Sequence, residues 1–292
     1  MGGFGVNKKI CEMVAERVLE ELEKGSIPWQ KPWFGTDRFV SHTTGKRYSL
    51  LNCMMLGRPG EYATFKQITE EGGKVKKGAK SKVVVYWSPY KKKEINAEGE
   101  EVEKTHYVLR YYRVFNLNDC EGVKKKYLDD DDKTFIHEVV RDAEEVIEGY
   151  CGRNPTLTIE REESSGRAFY RPGEDMIVVP KKEQFPKIEE FYSTLFHEMT
   201  HSTGHHSRLG RFKESGLVSA FGGEDYGKEE LIAELGAAAL CGKCGVESKD
   251  SFRNSAAYLD GWTKAIKGDP SMIVAAAGKA DKAVAYILGE VE

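Results

Sequence analysis

His197 and His201 lie four residues apart in Phe196-His-Glu-Met-Thr-His201, with Glu198 directly after the first of them. On a helix of 3.6 residues per turn, that spacing puts both imidazoles on one face, where they can point at a single ion. Glu198 falls about 100° round the helix from His197, where it can reach a water beside the ion without ligating the ion. A Lewis acid, a water and a general base are the parts needed for hydrolysis. The same six residues on an ordinary amphipathic helix would simply be two hydrogen-bonded histidines, but the flanking sequence argues otherwise. Ile188, Phe191, Leu195 and Met199 recur at helical spacing after Pro186, so a helix is predicted to carry the motif. Gly204 then lets the chain turn away and bring in another element.

A catalytic divalent metal of the zinc type takes three protein ligands and keeps one position open. The third ligand is expected downstream. Lys228 to Leu240 is rich in helix formers and apolar at Leu231, Leu235, Ala238 and Ala239, which predicts a second helix. Glu230 and Glu234 share one face of it, so one can ligate while the other holds a histidine by its far ring nitrogen. Glu229 is accounted for as an exposed acid in the first turn. The segment Glu229-Glu-Leu-Ile-Ala-Glu234 resembles the glutamate helix of thermolysin-like peptidases, which implies Glu230 as the ligand and Glu234 as the orienting residue. Tyr226, just before this helix, is a candidate phenol for stabilising an oxyanion, with simple packing as the alternative. His205, His206 and Arg208 are further candidates for contact with a tetrahedral intermediate.

Those elements belong to a 292-residue chain, long enough for two domains that each bury a core. With 40% hydrophobic and 31% charged residues, it has the composition of an ordinary globular protein. No apolar run is long enough to span a membrane, and Met1 to Lys9 lacks the apolar core of a signal peptide; a cytoplasmic location is expected. Six scattered cysteines read as reduced, buried thiols, including the Cys241-Gly-Lys-Cys244 pair, which has no second pair to complete a metal site. The net charge of −3 is uneven: residues 1–127 hold 24 Lys and Arg against 16 Asp and Glu, a balance of +8, and the remainder carries −11. Different partners for the two halves follow from that asymmetry.

The basic half opens with a predicted amphipathic helix from Asn7 to Lys24 and a Pro/Trp segment, Ile27 to Trp33. A short apolar element follows at Leu50 to Asn52, then a short helix over Ala63 to Glu71 and strands at Val83 to Trp87 and Tyr107 to Phe115. The charged stretch from Lys91 to Lys104 is expected to be an exposed hairpin loop. Basic residues interleave with Trp29, Trp33, Tyr48, Tyr86, Trp87, Tyr111 and Tyr112. Single-stranded nucleic acid is bound this way, cations following phosphates and aromatic faces stacking on bases. A domain core of aromatics under a solvated face of lysines fits the same composition.

Four motifs here, Ile27-Pro-Trp-Gln-Lys-Pro-Trp33, Thr44-Gly-Lys-Arg-Tyr48, Gly72-Gly-Lys-Val-Lys-Lys-Gly78 and Tyr112-Arg-Val-Phe-Asn-Leu-Asn118, resemble the N-terminal domain of ArdC-type antirestriction proteins. The C-terminal half is similar to the zincin-like domain of the same family. The resemblance implies an α+β protein of two domains: a small single-stranded-DNA-binding domain over residues 1–127 and a zincin-like metallopeptidase domain over 128–292. It implies DNA contacts by Trp29, Trp33, Lys46, Arg47, Tyr48, Asn52, Lys74, Lys76 and Lys77. For the metal it implies His197, His201 and Glu230 around zinc, or another divalent ion such as manganese, with Glu198 as base and Tyr226 as its catalytic companion. The expected partners are single-stranded DNA and a host protein or peptide substrate. The alternative is a non-catalytic DNA-binding shield whose metal is structural.

The acidic segment Tyr127-Leu-Asp-Asp-Asp-Asp-Lys133 marks the boundary. Beyond it the sequence predicts a helix from Thr134 to Tyr150, a strand at Thr156 to Ile159, and a hairpin of Ala168 to Tyr170 with Met176 to Val179. In the zincin-like fold that the resemblance implies, the last of these strands offers its edge to an extended polypeptide. Two helices around Gly268-Asp-Pro270 close the chain.

Overall fold

Apolar side chains three and four apart build the first helix. In α1 (Lys8–Glu23), which follows the two-residue strand β1 (Phe4–Gly5), Ile10, Cys11, Val14, Ala15, Val18 and Leu22 form one buried stripe. The computed structural model describes residues 4–5, 7–23, 29, 39–95, 101–128, 139–162, 168–185, 187–212, 224–246 and 255–290. Trp33, the acidic run from residue 129 and the start of the helix expected at Thr134 lie outside them.

After β2 (Phe39–Ser41), the short apolar element proves to be a helix, α2 (Leu50–Leu56). The Ser49 hydroxyl accepts the Asn52 amide at its start, and Gly57, at φ 75°, ends it in the left-handed conformation. β3 (Gly60–Ala63) pairs Ala63 with Phe115, so the helix expected from Ala63 starts later, as α3 (Phe65–Glu70), behind a Thr64/Gln67 capping box. β4 (Lys74–Val75), β5 (Lys82–Ile95), β6 (Glu101–Asn116) and β7 (Cys120–Glu121) complete this half. The main sheet runs β1-β6-β3-β2, with β5 also on β6, while β4 and β7 form a separate antiparallel pair.

The stretch expected as a hairpin loop is mostly paired strand. β5 and β6 keep their antiparallel register from Lys82↔Val114 out to Ile95↔Glu101. Lys91 reaches Glu103 at 2.7 Å and Lys93 reaches Glu101 at 3.0 Å, so facing opposite charges stabilise a sequence that looked merely solvated.

The acidic half begins with α4 (Val139–Arg153) and strands β8 (Thr158–Glu162), β9 (Phe169–Arg171) and β10 (Met176–Pro180). Their order is β8-β10-β9, with β8 parallel and β9 antiparallel to the centre. This corrects the expectation for Met176 to Val179. Ile177, Val178 and Val179 are buried in the central strand, as their uninterrupted apolar run indicates, and among the described residues the edges are β8 and β9. Helices α5 (Ile188–Ser202), α6 (Glu224–Lys243), α7 (Ser255–Gly268) and α8 (Ser271–Leu288) follow. No helix among the described residues is long and apolar enough to cross a membrane.

Both halves contribute to one apolar cluster. Within it, Trp29 is wholly buried and meets Trp262 of α7 edge-on at 5.8 Å. Trp29 is therefore a core residue with no exposed face for a base, contrary to its expected DNA contact. Asp281 of α8 accepts the Leu50 amide at the start of α2, at 3.1 Å and 3.2 Å from its two oxygens. Replacing Trp29 by Ala is expected to destabilise the chain by about 3–5 kcal/mol in a denaturant melt. Burial pushes Asp281 up to about 6, against the opposing pull of the Leu50 amide and Arg47. The folded chain thus holds this proton more tightly than the unfolded chain, and the resulting stabilisation is full below pH 4 and lost as pH rises through 6. Asp281→Asn should remove that pH dependence, gaining up to about 3 kcal/mol on the parent between pH 4 and pH 7, measured by thermal melts across that range.

Candidate metal centre

Of the α5 stripe foreseen from the sequence, Phe191, Leu195 and Met199 are fully buried with Tyr192 and Phe196, which fixes the rotation of the helix and turns His197 and His201 toward α6, whereas Ile188 in the first turn is exposed. α6 comes very close. A Cβ at Gly236 would lie 2.5 Å from Thr200 Cγ2 and 2.6 Å from its Oγ1, so only glycine permits this approach. At that separation Glu230 Oε2 lies 3.4 Å from His197 Nε2, and Glu230 Oε1 lies 3.5 Å from His201 Nε2. One donor atom from each of the three residues falls within 4.8 Å of the others.

The outer ring nitrogens are also faced by carboxylates. Glu234 Oε1 is 3.9 Å from His197 Nδ1, and Glu229 Oε1 is 3.5 Å from His201 Nδ1. An ionised carboxylate only accepts, so each favours a proton on the Nδ1 it faces and leaves the Nε2 lone pair turned inward. The two Nε2 atoms lie 3.1 Å apart with the Glu230 carboxylate beside them. Acceptors so placed attract a cation, and two imidazoles with a carboxylate match the donor set of a divalent transition-metal ion. Proton affinities point the same way. Burial works against it, yet Glu229 and Glu230 push His201 up to about 10, and Glu230 raises His197. Despite its own burial, Glu230 is held well below the usual carboxylate range by the two histidines.

Glu229 was expected at the surface and is buried instead. Arg211 holds it through Nη2 at 2.7 Å and Nε at 3.2 Å, while Nη1 reaches Thr203 Oγ1 at 2.7 Å and Nη2 reaches the Thr200 carbonyl at 2.8 Å. Sequence spacing could not have shown this. Glu229 shares no i,i+4 relation with Glu230, and Arg211 arrives from the turn after α5. Glu198 is buried beside the histidines; burial raises its proton affinity and the two imidazoles oppose that, while the Tyr170 amide of β9 donates to it. Arg208 is not available to an intermediate. Its side chain is 1% exposed and binds both oxygens of Asp175, the Tyr170 hydroxyl at 3.0 Å and the Ser202 carbonyl at 2.7 Å, fastening the β9–β10 turn to the end of α5. His205 bonds Ser207, and His206 is exposed. Tyr226 lies within α6, but its side chain is outside the described residues.

The expected DNA contacts do not gather in this way. Tyr48 is buried with its hydroxyl bonded to Tyr112. Asn52 is buried too, its amide donating to the Val85 carbonyl at 2.9 Å and accepting the Val85 amide at 2.8 Å. Both serve the fold, so neither offers a face to a base. Arg47 is half-buried in the field of Asp281. Lys46, Lys74, Lys76 and Lys77 are exposed, Lys76 reaching the Asn118 carbonyl at 3.0 Å.

A model for the N-terminal domain of anti-restriction factor ArdC matches residues 8–115, and one for zincin-like metallopeptidases matches residues 154–279. The crystal structure of Mn(II)-bound antirestriction ArdC protein from the R388 plasmid aligns at 30% identity, covering 96% of this chain and 97% of that one, with a TM-score of 0.72. The chain belongs to the ArdC antirestriction family. The metal-free crystal structure of the same R388 ArdC protein aligns at 29% identity with a TM-score of 0.72. The DNA primase TraC of Escherichia coli is 34% identical over 97% of this chain, which spans 27% of that primase's length. The zincin-like match of this ArdC-family chain contains all of α5 and α6, and with them the imidazoles and carboxylates described above. Glu229→Gln keeps the shape of that side chain and removes its charge from His201. Affinity for Mn(II) or Zn(II) by calorimetry should fall about 10–100-fold, and the metal-free chain should melt at a lower temperature, because the buried Arg211 loses the charge that pairs it.

Proposed function

We propose that the chain is an antirestriction-type protein of a mobile element that binds single-stranded DNA through its basic half and cleaves a polypeptide at the metal centre of its acidic half. The convergence of His197, His201 and Glu230 beside a buried Glu198 carries this reading. His197, His201 and Glu230 would hold zinc or manganese, leaving room for a substrate oxygen. A divalent ion there supplies Lewis acidity, acidifying water and polarising a peptide carbonyl. Glu198 takes the proton of the attacking water and delivers it to the departing amine, a task suited to a carboxylate whose burial raises its proton affinity. The Tyr170 amide keeps that carboxylate against the β9 edge, so an extended substrate lying along β9 would bring its carbonyl to the base. Tyr226 is assigned to the oxyanion. Glu198→Gln should keep the metal, by elemental analysis, and lose at least about a hundredfold in peptidase turnover. If transferred DNA remains fully protected from a restricting host by this variant, the centre is structural and the protein acts as a shield.

A further inference from the structure

Two arginines, Arg208 and Arg211, return from the turn after α5 to the end of that helix. Leu209 and Phe212 donate their amides to the Thr203 and Gly204 carbonyls at 3.0 Å and 2.9 Å, and between them Gly210 takes the left-handed conformation at φ 60°. The Phe212 ring lies against Gly204, where a Cβ would come within 2.6 Å of its Cζ, so the fold-back is packed as well as hydrogen-bonded. The last carbonyls of a helix have no partner inside it. Here Arg208 Nε donates to the Ser202 carbonyl at 2.7 Å, and Arg211 Nη2 donates to the Thr200 carbonyl at 2.8 Å.

Both guanidiniums are buried, and each grips a carboxylate with two of its nitrogens. Arg208 holds Asp175 in the β9–β10 turn, and Arg211 holds Glu229 on α6. The carboxylates then lead to different places. Asp175 also accepts from Thr156 at 3.0 Å and Tyr170 at 2.7 Å, neither of them a candidate metal ligand. Glu229 instead presents Oε1 to Nδ1 of His201 at 3.5 Å, and His201 is a candidate ligand. A carboxylate caught at both oxygens cannot turn about its last bond. Oε1 is therefore kept on the imidazole, and Nε2 of the same ring is kept 3.5 Å from Glu230. An ammonium, a point charge in place of a rigid fork, would leave that rotation open.

We propose that Arg211 is a positioning residue of the metal centre: by gripping both oxygens of Glu229 it fixes the ring of His201, and so the direction in which that ring offers Nε2. The inference rests on the metal-binding reading above and adds a residue that acts on the site only through Glu229 and His201. Arg208 has the same kind of attachment, through a carboxylate that leads elsewhere, and is the internal control. The test titrates Mn(II) into the full metal-free chain by calorimetry. Arg211→Lys keeps the charge, so the field at the site changes little, and gives up the two-pronged grip; affinity should fall about 10–100-fold. In a Glu229→Gln background the same change should alter affinity by less than about twofold, because the charged group it acts through is already gone. Arg208→Lys should lower the melting temperature comparably and leave Mn(II) affinity within about twofold. Thr203→Val removes one bond from Arg211 Nη1, keeps the Glu229 pair, and should weaken binding by a smaller factor; it carries the test if Arg211→Lys does not fold. Parent affinity in Arg211→Lys and Thr203→Val, an undiminished loss in the Glu229→Gln background, or an equal loss in Arg208→Lys overturns the role. Failure of the parent chain to bind Mn(II) removes the metal-binding reading and this role together.

Discussion

The bare flank of Gly236 against Thr200 is the constraint on which the candidate metal centre depends. It allows two helices to approach so closely that the acids of one lie among the imidazoles of the other. Any side chain at that point would lift Glu230 away from His197 and His201 and leave buried charges without partners, which is far more expensive than losing a surface ion pair. The centre therefore gathers Glu198, Glu229, Glu230 and Glu234 in one buried region, with Arg211 as the permanent cation bound among them. Four desolvated carboxylates against one guanidinium are strongly biased toward capturing positive charge. A cation entering this region meets the whole acidic surround and not three groups alone.

The other half is joined to this centre through α8 as well as through the chain. Asp281 reaches across to the start of α2, Trp29 packs on Trp262, and α2 in turn holds the root of the ribbon through Asn52. The aromatic ribbon and the metal helices are thus supported by one apolar core, with few layers between them. Such continuity makes the stability of one half depend on that of the other.

Periodicity made the helices legible. Phe191, Leu195 and Met199 placed α5 and its rotation, and that rotation fixed where His197 and His201 point, although Ile188, read as part of the same stripe, is exposed at the first turn. Partnership was harder to read. Glu229 looks like an ordinary first-turn acid until Arg211 and His201 are seen around it, because the two elements meet only in the tertiary fold. The aromatics posed a different difficulty. Basic and aromatic residues alternate at Trp29 and Tyr48 as they do at Tyr86 and Tyr90, and composition cannot tell a core ring from an exposed one. The distinction became visible only through the cross-strand register, in which Lys91 to Lys104 forms a paired ribbon that raises its rings into solvent. Similarly, the apolar run Met176 to Val179 reads correctly as strand, and its continuity, with no polar alternation, is the mark of a position flanked on both sides.

Asn52 has an effect beyond its own helix. Its amide gives the Val85 peptide the donor and acceptor that a neighbouring strand would have supplied. A long, apolar-rooted ribbon with its outer rim unguarded is a template on which a second copy can add itself, the first step towards ordered aggregation. One side chain, delivered by a seven-residue helix, occupies the template at its most hydrophobic point, beside Val84 and Val85. The same ribbon can then expose its rings while this stretch of its edge is already occupied.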